Sequence, residues 1–370
     1  MMPVELASGF TIERLGVVMR PDPTHAEEIE GVLNPAAARG PDGELYLFPR
    51  LVGANNHSRI GIARVLFSDE GIPTGVERLG IALEPEEPYE LGPREATGGC
   101  EDPRVTFVEP IGLYVMTYVA LGPRGPRVAL AVSENCLNWE RLGLVDFQPD
   151  VGAHYGRLFN NYDNKDAAFL PDAVHFKDGR AALGMFHRPL YDAHNAPHGV
   201  DHPVPGIWVS GCDLDAVKRD VRHLRVMNRH ALVAEPSAPW ESLRVGLGTP
   251  PVRTRLGYMI VYHGVNGELA TAPGELNHVT YDAGVLIFRQ ERDRLLRYRS
   301  TTPILIPEIK DECDNGRNVV FPTGIDKRSE DVFDLYYGMA DRYIGVARLR
   351  LPESVQYENH PAMLASDRTA

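Results

Sequence analysis

The sequence predicts an all-β fold, a five-bladed β-propeller with its active site at the central channel. Three observations lead there. First, 35 glycines and 30 prolines among 370 residues cut the chain into short pieces, and amphipathic helical periodicity is scarce. Second, those pieces are short apolar runs rich in Val, Ile, Leu, Tyr and Phe, which read as strands. Third, one three-segment order returns five times.

The clearest segment is a short pattern starting at residues 60, 128, 207, 283 and 344. Its copies are Ile60–Arg64, Val128–Ser133, Ile207–Ser210, Ala283–Ile287 and Ile344–Arg348. Ahead of each lies a longer apolar run ending on a polar residue: Glu44–Arg50, Leu113–Tyr118, Arg180–Arg188, Gly257–His263 and Asp334–Asp341. Asp42-Gly43 and Asp178-Gly179 precede two of these runs and signal hairpins. Further upstream sits a segment with proline or a polar cluster: Asn34-Pro35, Glu101-Asp102-Pro103, Asn164-Lys165-Asp166, Thr249-Pro250-Pro251 and Asn318–Pro322. The repeat of about 60 to 80 residues holds four strands with their loops. An all-β sandwich or two β domains would also space short strands regularly. In a propeller the first strand of each blade lines the channel, so the five polar clusters would meet at the axis.

Residues 31–352 are expected to form the catalytic propeller, with 1–30 an N-terminal extension and 353–370 a tail. The sequence leaves open whether the ends close the ring, cap it or support a homo-oligomer. Tyr191–Pro205, with several histidines and prolines, reads as a long ordered loop over one face.

A net charge of −13 without blocks of like charge argues against nucleic acid or an anionic membrane surface and fits a small or neutral ligand. Met1–Phe10 has no basic segment leading into an apolar stretch, and no apolar run is long enough to span a bilayer. Cys100, Cys136, Cys212 and Cys313 are far apart and form no CxxC pair. Free thiols in a reducing, cytoplasmic compartment are the expectation.

Gly98-Gly99-Cys100-Glu101-Asp102-Pro103-Arg104 concentrates the chemistry. Proline biases the residue before it toward extended backbone, which sets Asp102 at the mouth of a strand. A carboxylate there is either one half of a surface ion pair with Arg104 or an acid turned toward a ligand. Lys165 with His187 and Arg188 puts three basic groups into one unit of an acidic protein, which suggests an anion site. The alternative is a Lys165–Asp166 pair and a satisfied strand histidine. Arg141 adds a guanidinium after the second unit. Tyr262-His263 and Tyr337–Asp341 offer the aromatic faces and carboxylates that a sugar ring needs. No metal is expected: His194, His198 and His202 have helical spacing, but Pro197 and Pro203 oppose a helix. Serine-elbow and glycine-rich nucleotide motifs are absent.

Glu101-Asp102-Pro103-Arg104 resembles the EDPR motif of glycoside hydrolase family 130, the mannoside phosphorylases and β-mannosidases. The likeness extends over roughly residues 30–350, through Ser58–Ala63, Trp139–Arg141, Asn164–Asp166, His187–Pro189, Gly248–Pro251, Tyr262–Gly264, Asn318–Pro322 and Tyr337–Asp341. It implies a five-bladed propeller and inverting phosphorolysis of β-mannosides to mannose 1-phosphate. Asp102 would be the general acid, acting through the mannose 3-hydroxyl. Inorganic phosphate would be the co-substrate, with no other cofactor, held by Arg141, Lys165, His187 and Arg188. The sugar would be bound by Arg59, Glu101, Arg104, Asp166, Tyr262, His263 and Asp341. The stretch Tyr118–Val128 departs from the family in lacking a clear Arg-Asn pair. An inverting β-mannosidase on the same fold, with Glu101, Glu241 or Glu268 activating water, is the alternative. A carbohydrate-binding propeller without catalysis is a third reading.

Overall fold

Within each unit successive apolar runs pair antiparallel, so the chain advances as a series of meanders. The computed structural model describes all residues except 1–2, 7, 93–96, 150–158, 176–178, 193, 197–203, 270–277, 289–295, 315 and 356–370. The first unit is Gly31–Arg39, Leu45–Gly53, His57–Phe67 and Pro73–Leu83, paired in that order. The second is Gly99–Val108, Leu113–Gly122, Gly125–Ser133 and Glu140–Leu144. The third is Asp163–His175, Ala181–Leu190, Ile207–Asp213 and Val226–Ala234.

In the fourth unit two short strands, Arg244–Leu247 and Val252–Thr254, share the first position against Gly257–Glu268, followed by His278–Phe288 and Leu296–Arg299. Thr249-Pro250-Pro251 is the break between them, because proline cannot donate to a ladder. The fifth unit is Arg317–Lys327, Val332–Met339 and Tyr343–Arg350. Its outer strand comes from the other end of the chain: Thr11–Met19 pairs antiparallel with Tyr343–Arg350. Among the described residues the one α-helix is Leu214–Arg219, capped by the Asp213 side chain on the Ala216 amide.

The inner strands of the units are largely buried on both faces, and the apolar residues sort into clusters between successive units. Phe48, Ile60, Met116 and Ala129 join the first to the second, and Leu130, Phe159, Phe169 and Met185 the second to the third. Leu170, Phe186, Ile260 and Leu286 join the third to the fourth, and Val261, Val285, Val320 and Leu335 the fourth to the fifth. Leu45, Leu47, Tyr336 and Val346 bring the fifth against the first. Leading strands also touch from unit to unit, and Arg317–Lys327 packs on Gly31–Arg39. Much of the tract Tyr191–Pro205 lies outside the described residues.

Candidate active site

The leading strands of the first three units each carry the same irregularity. Their pairing slips between Leu33 and Ala36, between Glu101 and Arg104, and between Lys165 and Ala168. The residue at each slip has left-handed backbone: Asn34 at φ 45°, Asp102 at φ 45° and Asp166 at φ 53°. Asn and Asp tolerate this region better than other side chains, and bulges re-aim side chains next to active sites. Asp102 is therefore not extended, as its place before Pro103 suggested; the bulge overrides the local bias. The slip also breaks strict alternation, so neighbours Glu101 and Asp102 both reach Arg50. A Cβ at Gly99, at φ 128°, would stand 2.0 Å from the Ser58 carbonyl oxygen, so only glycine lets the second unit dock on the first here.

The three bulges open on a cavity of about 460 Å³, lined by Asn34, Arg50, Asp102, Lys165, Asp166 and Arg188. Tyr281, Phe321, Arg317, Asp341 and Glu30 also line its wall. Asn34 Nδ2 donates to Asp102 Oδ1 at 2.9 Å, and Arg50 Nη1 to the same oxygen at 3.3 Å. Arg50 Nη2 donates to Glu101 Oε1 at 2.6 Å, while Lys165 Nζ stands 3.5 Å from Glu101 Oε2. Arg188 Nε donates to Asp166 Oδ2 at 2.6 Å. Arg104, buried beneath, donates to the Asp102, Gly248 and Leu247 carbonyls, with Nη2 3.4 Å from Asp166 Oδ1. A Cβ on Gly246 would lie 2.4 Å from Asp166 Oδ2, so glycine admits the fourth unit to the site.

Charge decides protonation here. Burial pushes the Asp102 carboxyl up, but Arg50, Lys165, Arg104 and the Asn34 hydrogen bond together bring it below its ordinary value. Asp166 is likewise held down against its burial by Arg188, His263 and Arg104. Asp341 goes the other way: burial raises it, and Asp102 adds to the rise against Arg317 and Arg50. His263, its Nε2 3.5 Å from Asp166 Oδ2, is lowered by burial to about 3 and is neutral near pH 7.

Of the residues singled out in the sequence, Asp102, Lys165, Asp166, Arg188 and Asp341 line the cavity. Glu101, Arg104 and His263 stand directly behind it. Four do not reach it. His187 faces the opposite side of its strand from Arg188, as alternation requires. Its ring is fully buried against Phe147 and Phe159, and its nitrogens meet Asn164 and Ser210. Tyr262 alternates with His263 in the same way and bonds Glu241 in the core of the fourth unit. Arg141 is bound to Glu90 and Glu86, and Arg59 forks onto Glu84. Of the residues expected to hold an anion, Lys165 and Arg188 line the cavity, and Arg141 and His187 do not.

Asn34, Arg50, Arg317 and Tyr281 line the cavity without having been singled out as site residues. A signal for Arg50 was present. It pairs with Leu33, the residue before the Asn34 bulge, as Arg188 pairs with Lys165 before the Asp166 bulge. Among the described residues no group of three His, Cys, Asp or Glu side chains is arranged to hold a metal ion. None of the described helices is long and apolar enough to cross a membrane.

Known proteins resemble this chain over most of its length. A 1,2-beta-oligomannan phosphorylase of Thermoanaerobacter sp. is 28% identical, covering 91% of this chain and 95% of the relative. A beta-1,2-mannobiose phosphorylase of the same organism is 29% identical over 91% of this chain and 97% of its own. A solved structure with TM-score 0.65 and 23% identity covers 98% of this chain and 99% of its own. It is described by the statement that the GH130 family of mannoside phosphorylases contains glycoside hydrolases that target beta-1,2 mannosidic linkages in Candida mannan. The family model for beta-1,4-mannooligosaccharide phosphorylase matches residues 11–358, and with that span the chain belongs to glycoside hydrolase family 130.

Proposed function

We propose that this protein is a β-mannoside phosphorylase built as a five-bladed propeller, with residues 11–350 forming one catalytic ring closed by Thr11–Met19. Five apolar clusters, one at each junction between neighbouring units, support the ring. The observation that carries the activity is Asp102 on a strained bulge in one cavity with Lys165 and Arg188.

The neighbouring cations hold Asp102 below its ordinary value, which favours its ionised form. Phosphate held by Lys165 and Arg188 would offset those cations and raise Asp102 toward its protonated form. The acid then delivers its proton to the glycosidic oxygen, by way of the mannose 3-hydroxyl in the manner the family resemblance implies. A phosphate oxygen forms the new bond to C1 on the opposite face as the C1–oxygen bond to the leaving sugar breaks. The hydrogen carried by hydrogen phosphate balances the hydroxyl on the released sugar. Because the nucleophile arrives ionised, no protein base is needed, unlike inverting hydrolysis, which takes a second carboxylate. Asp166 and Asp341, with Tyr281 and Phe321, supply acceptors and apolar faces for the mannosyl ring.

Hydrolysis is the second reading, favoured by one observation: Asp341 and Glu30 also line the cavity and offer carboxylates for a water. Incubation with β-1,2- and β-1,4-mannobiose, with and without phosphate, separates the two. Phosphorolysis predicts mannose 1-phosphate and no turnover in phosphate-free buffer. Equal turnover without phosphate, yielding mannose, would overturn it.

A further inference from the structure

We infer that the third unit is closed by an acid-sensitive lock, a buried histidine–serine–histidine chain standing where neighbouring units carry a glutamate bound to arginine and tyrosine. The lock does not depend on which nucleophile the cavity takes.

The neighbouring arrangement recurs with little change. In the second unit Glu90, fully buried, accepts the Tyr118 hydroxyl at 2.6 Å and Arg141 Nε at 2.9 Å. Its other oxygen accepts the amides of Glu86 and Glu87, four and three residues earlier. Glu241 does the same in the fourth unit with Tyr262, Arg299 and the Ser237 and Ala238 amides. Glu312 repeats it in the fifth with Tyr337, Arg14 and the Glu308 and Ile309 amides. Each tyrosine lies on the second strand of its unit and each arginine on the outer strand. The glutamate therefore ties both strands to the segment leading into the unit.

In the third unit a histidine takes the tyrosine's place. Tyr118 precedes Val119, which pairs with Glu101 at the Asp102 bulge; His187 precedes Arg188, which pairs with Lys165 at the Asp166 bulge. From His187 a chain of hydrogen bonds crosses to the outer strand. His187 Nε2 stands 2.8 Å from Ser210 Oγ, and Ser210 Oγ stands 2.7 Å from His230 Nδ1. His230 Nε2 then donates to the Gln148 carbonyl at 2.8 Å. On its other side His187 Nδ1 faces the Asn164 side-chain amide. A hydroxyl and an amide each donate or accept, so a neutral His187 is satisfied in either tautomer.

A protonated His187 meets no opposite charge. Phe147 and Phe159 pack on its ring at centroid distances of 4.7 and 5.3 Å. Among the described residues no carboxylate reaches it. Asp163, beside Asn164, pairs with Arg127, and Asp146, beside Phe147, is exposed and bonded to Gln148 and Asn160. Arg188 turns to Asp166, and Lys165 to the cavity. Cys212, Tyr162 and Tyr191 of the same core are pushed up by burial and stay neutral. Burial thus holds His187 well below its ordinary value, and His230 lowers it further. Glu90 is the contrast: burial raises its carboxyl, but Arg141, Tyr118 and the two amides bring it below its ordinary value.

A histidine held down in the folded protein takes up its proton more readily once its unit opens. The stability it contributes is therefore whole above roughly pH 6.5 and is lost as pH falls below that. Acid then opens the strands that carry Lys165 and Arg188 while the second unit stays shut.

The test follows hydrogen exchange, corrected for intrinsic rate, at pH 7.5 and 5.5. Ala181–Leu190 and Leu113–Gly122, the second strands of the third and second units, are compared. Protection in the third unit should fall by at least about tenfold at pH 5.5, while the second unit holds within about twofold. His187→Gln keeps an amide to donate to Ser210 but cannot titrate, and its loss of protection should be smaller by about tenfold. Imidazole nitrogen shifts of the wild type, which need no variant, should show His187 neutral in the folded protein at pH 5.5. A protonated His187 there, equal losses in the two units, or a His187→Gln protein as acid-sensitive as the wild type would each overturn the lock.

Discussion

Two buried charged clusters invite comparison, one in the core of the fourth unit and one on the wall of the catalytic cavity. In the fourth unit Glu241 is fully buried, receives Arg299 Nη2 at 2.7 Å, and accepts the Tyr262 hydroxyl and the Ser237 and Ala238 amides. Both of its oxygens are satisfied, and it is absent from the wall of the cavity. Asp102 is nearly as buried, yet its carboxylate has one good hydrogen bond, a longer contact to Arg50, left-handed backbone and a void in front of it. Burial and charge are common to both. What sets the second apart is incomplete satisfaction held under backbone strain, the condition in which a group still has chemistry to do.

The sharpest way to break this contrast is to neutralise each carboxylate. Asp102→Asn keeps the size and the tolerance for left-handed backbone but removes the transferable proton. Mannobiose phosphorolysis should fall by about 10² to 10⁴ in kcat, the range for loss of a positioned general acid, with thermal stability little changed. Glu241→Gln should do the reverse. Leaving Arg299 buried without its counter-charge costs about 3–5 kcal/mol in denaturant unfolding, while activity per folded molecule stays within about twofold. If Glu241→Gln lost activity and kept its stability, the division between the clusters would be wrong.

The same contrast explains what was readable from residues alone. The five repeats, their order and the strand-forming runs were legible because apolar alternation and turn residues are local signals. Which side of a strand a polar residue faces was not, because a bulge resets it. His187-Arg188 and Tyr262-His263 look alike on paper, two polar or aromatic neighbours at the end of a strand. Regular pairing at both sends one member of each couple into the core. Lys165-Asp166 and Glu101-Asp102 escape that rule through their register slips. The closing strand Thr11–Met19 was unreadable for another reason: its partner, Tyr343–Arg350, lies at the far end of the chain.

Phosphate contact is the next term in size. Among the described residues Lys165 pairs with Glu101 at 3.5 Å, and it is partly exposed to the cavity, so its charge is available to an anion. Lys165→Ala should raise the KM for phosphate by about tenfold to a hundredfold, as expected for one charge-assisted hydrogen bond. His187→Asn is the matched control: buried on the far side of its strand, it should leave the phosphate KM within about twofold. An effect of His187→Asn equal to that of Lys165→Ala would restore the histidine to the anion site.

The smallest expected effect concerns Arg50, which forks between Glu101 and Asp102 and helps hold Asp102 below its ordinary value. Removing that charge in Arg50→Gln leaves burial, the largest influence on Asp102, less opposed, so its pKa rises. Since the protonated form donates, kcat/KM for the mannoside at saturating phosphate is governed on its alkaline side by this group in the phosphate-bound enzyme. The alkaline limb should therefore move to higher pH in Arg50→Gln. The maximum rate would fall too, because Arg50 also positions the carboxylate. The direction of the limb is the informative part: a guanidinium that only braced the bulge would lower the rate at every pH and leave the limb where it was.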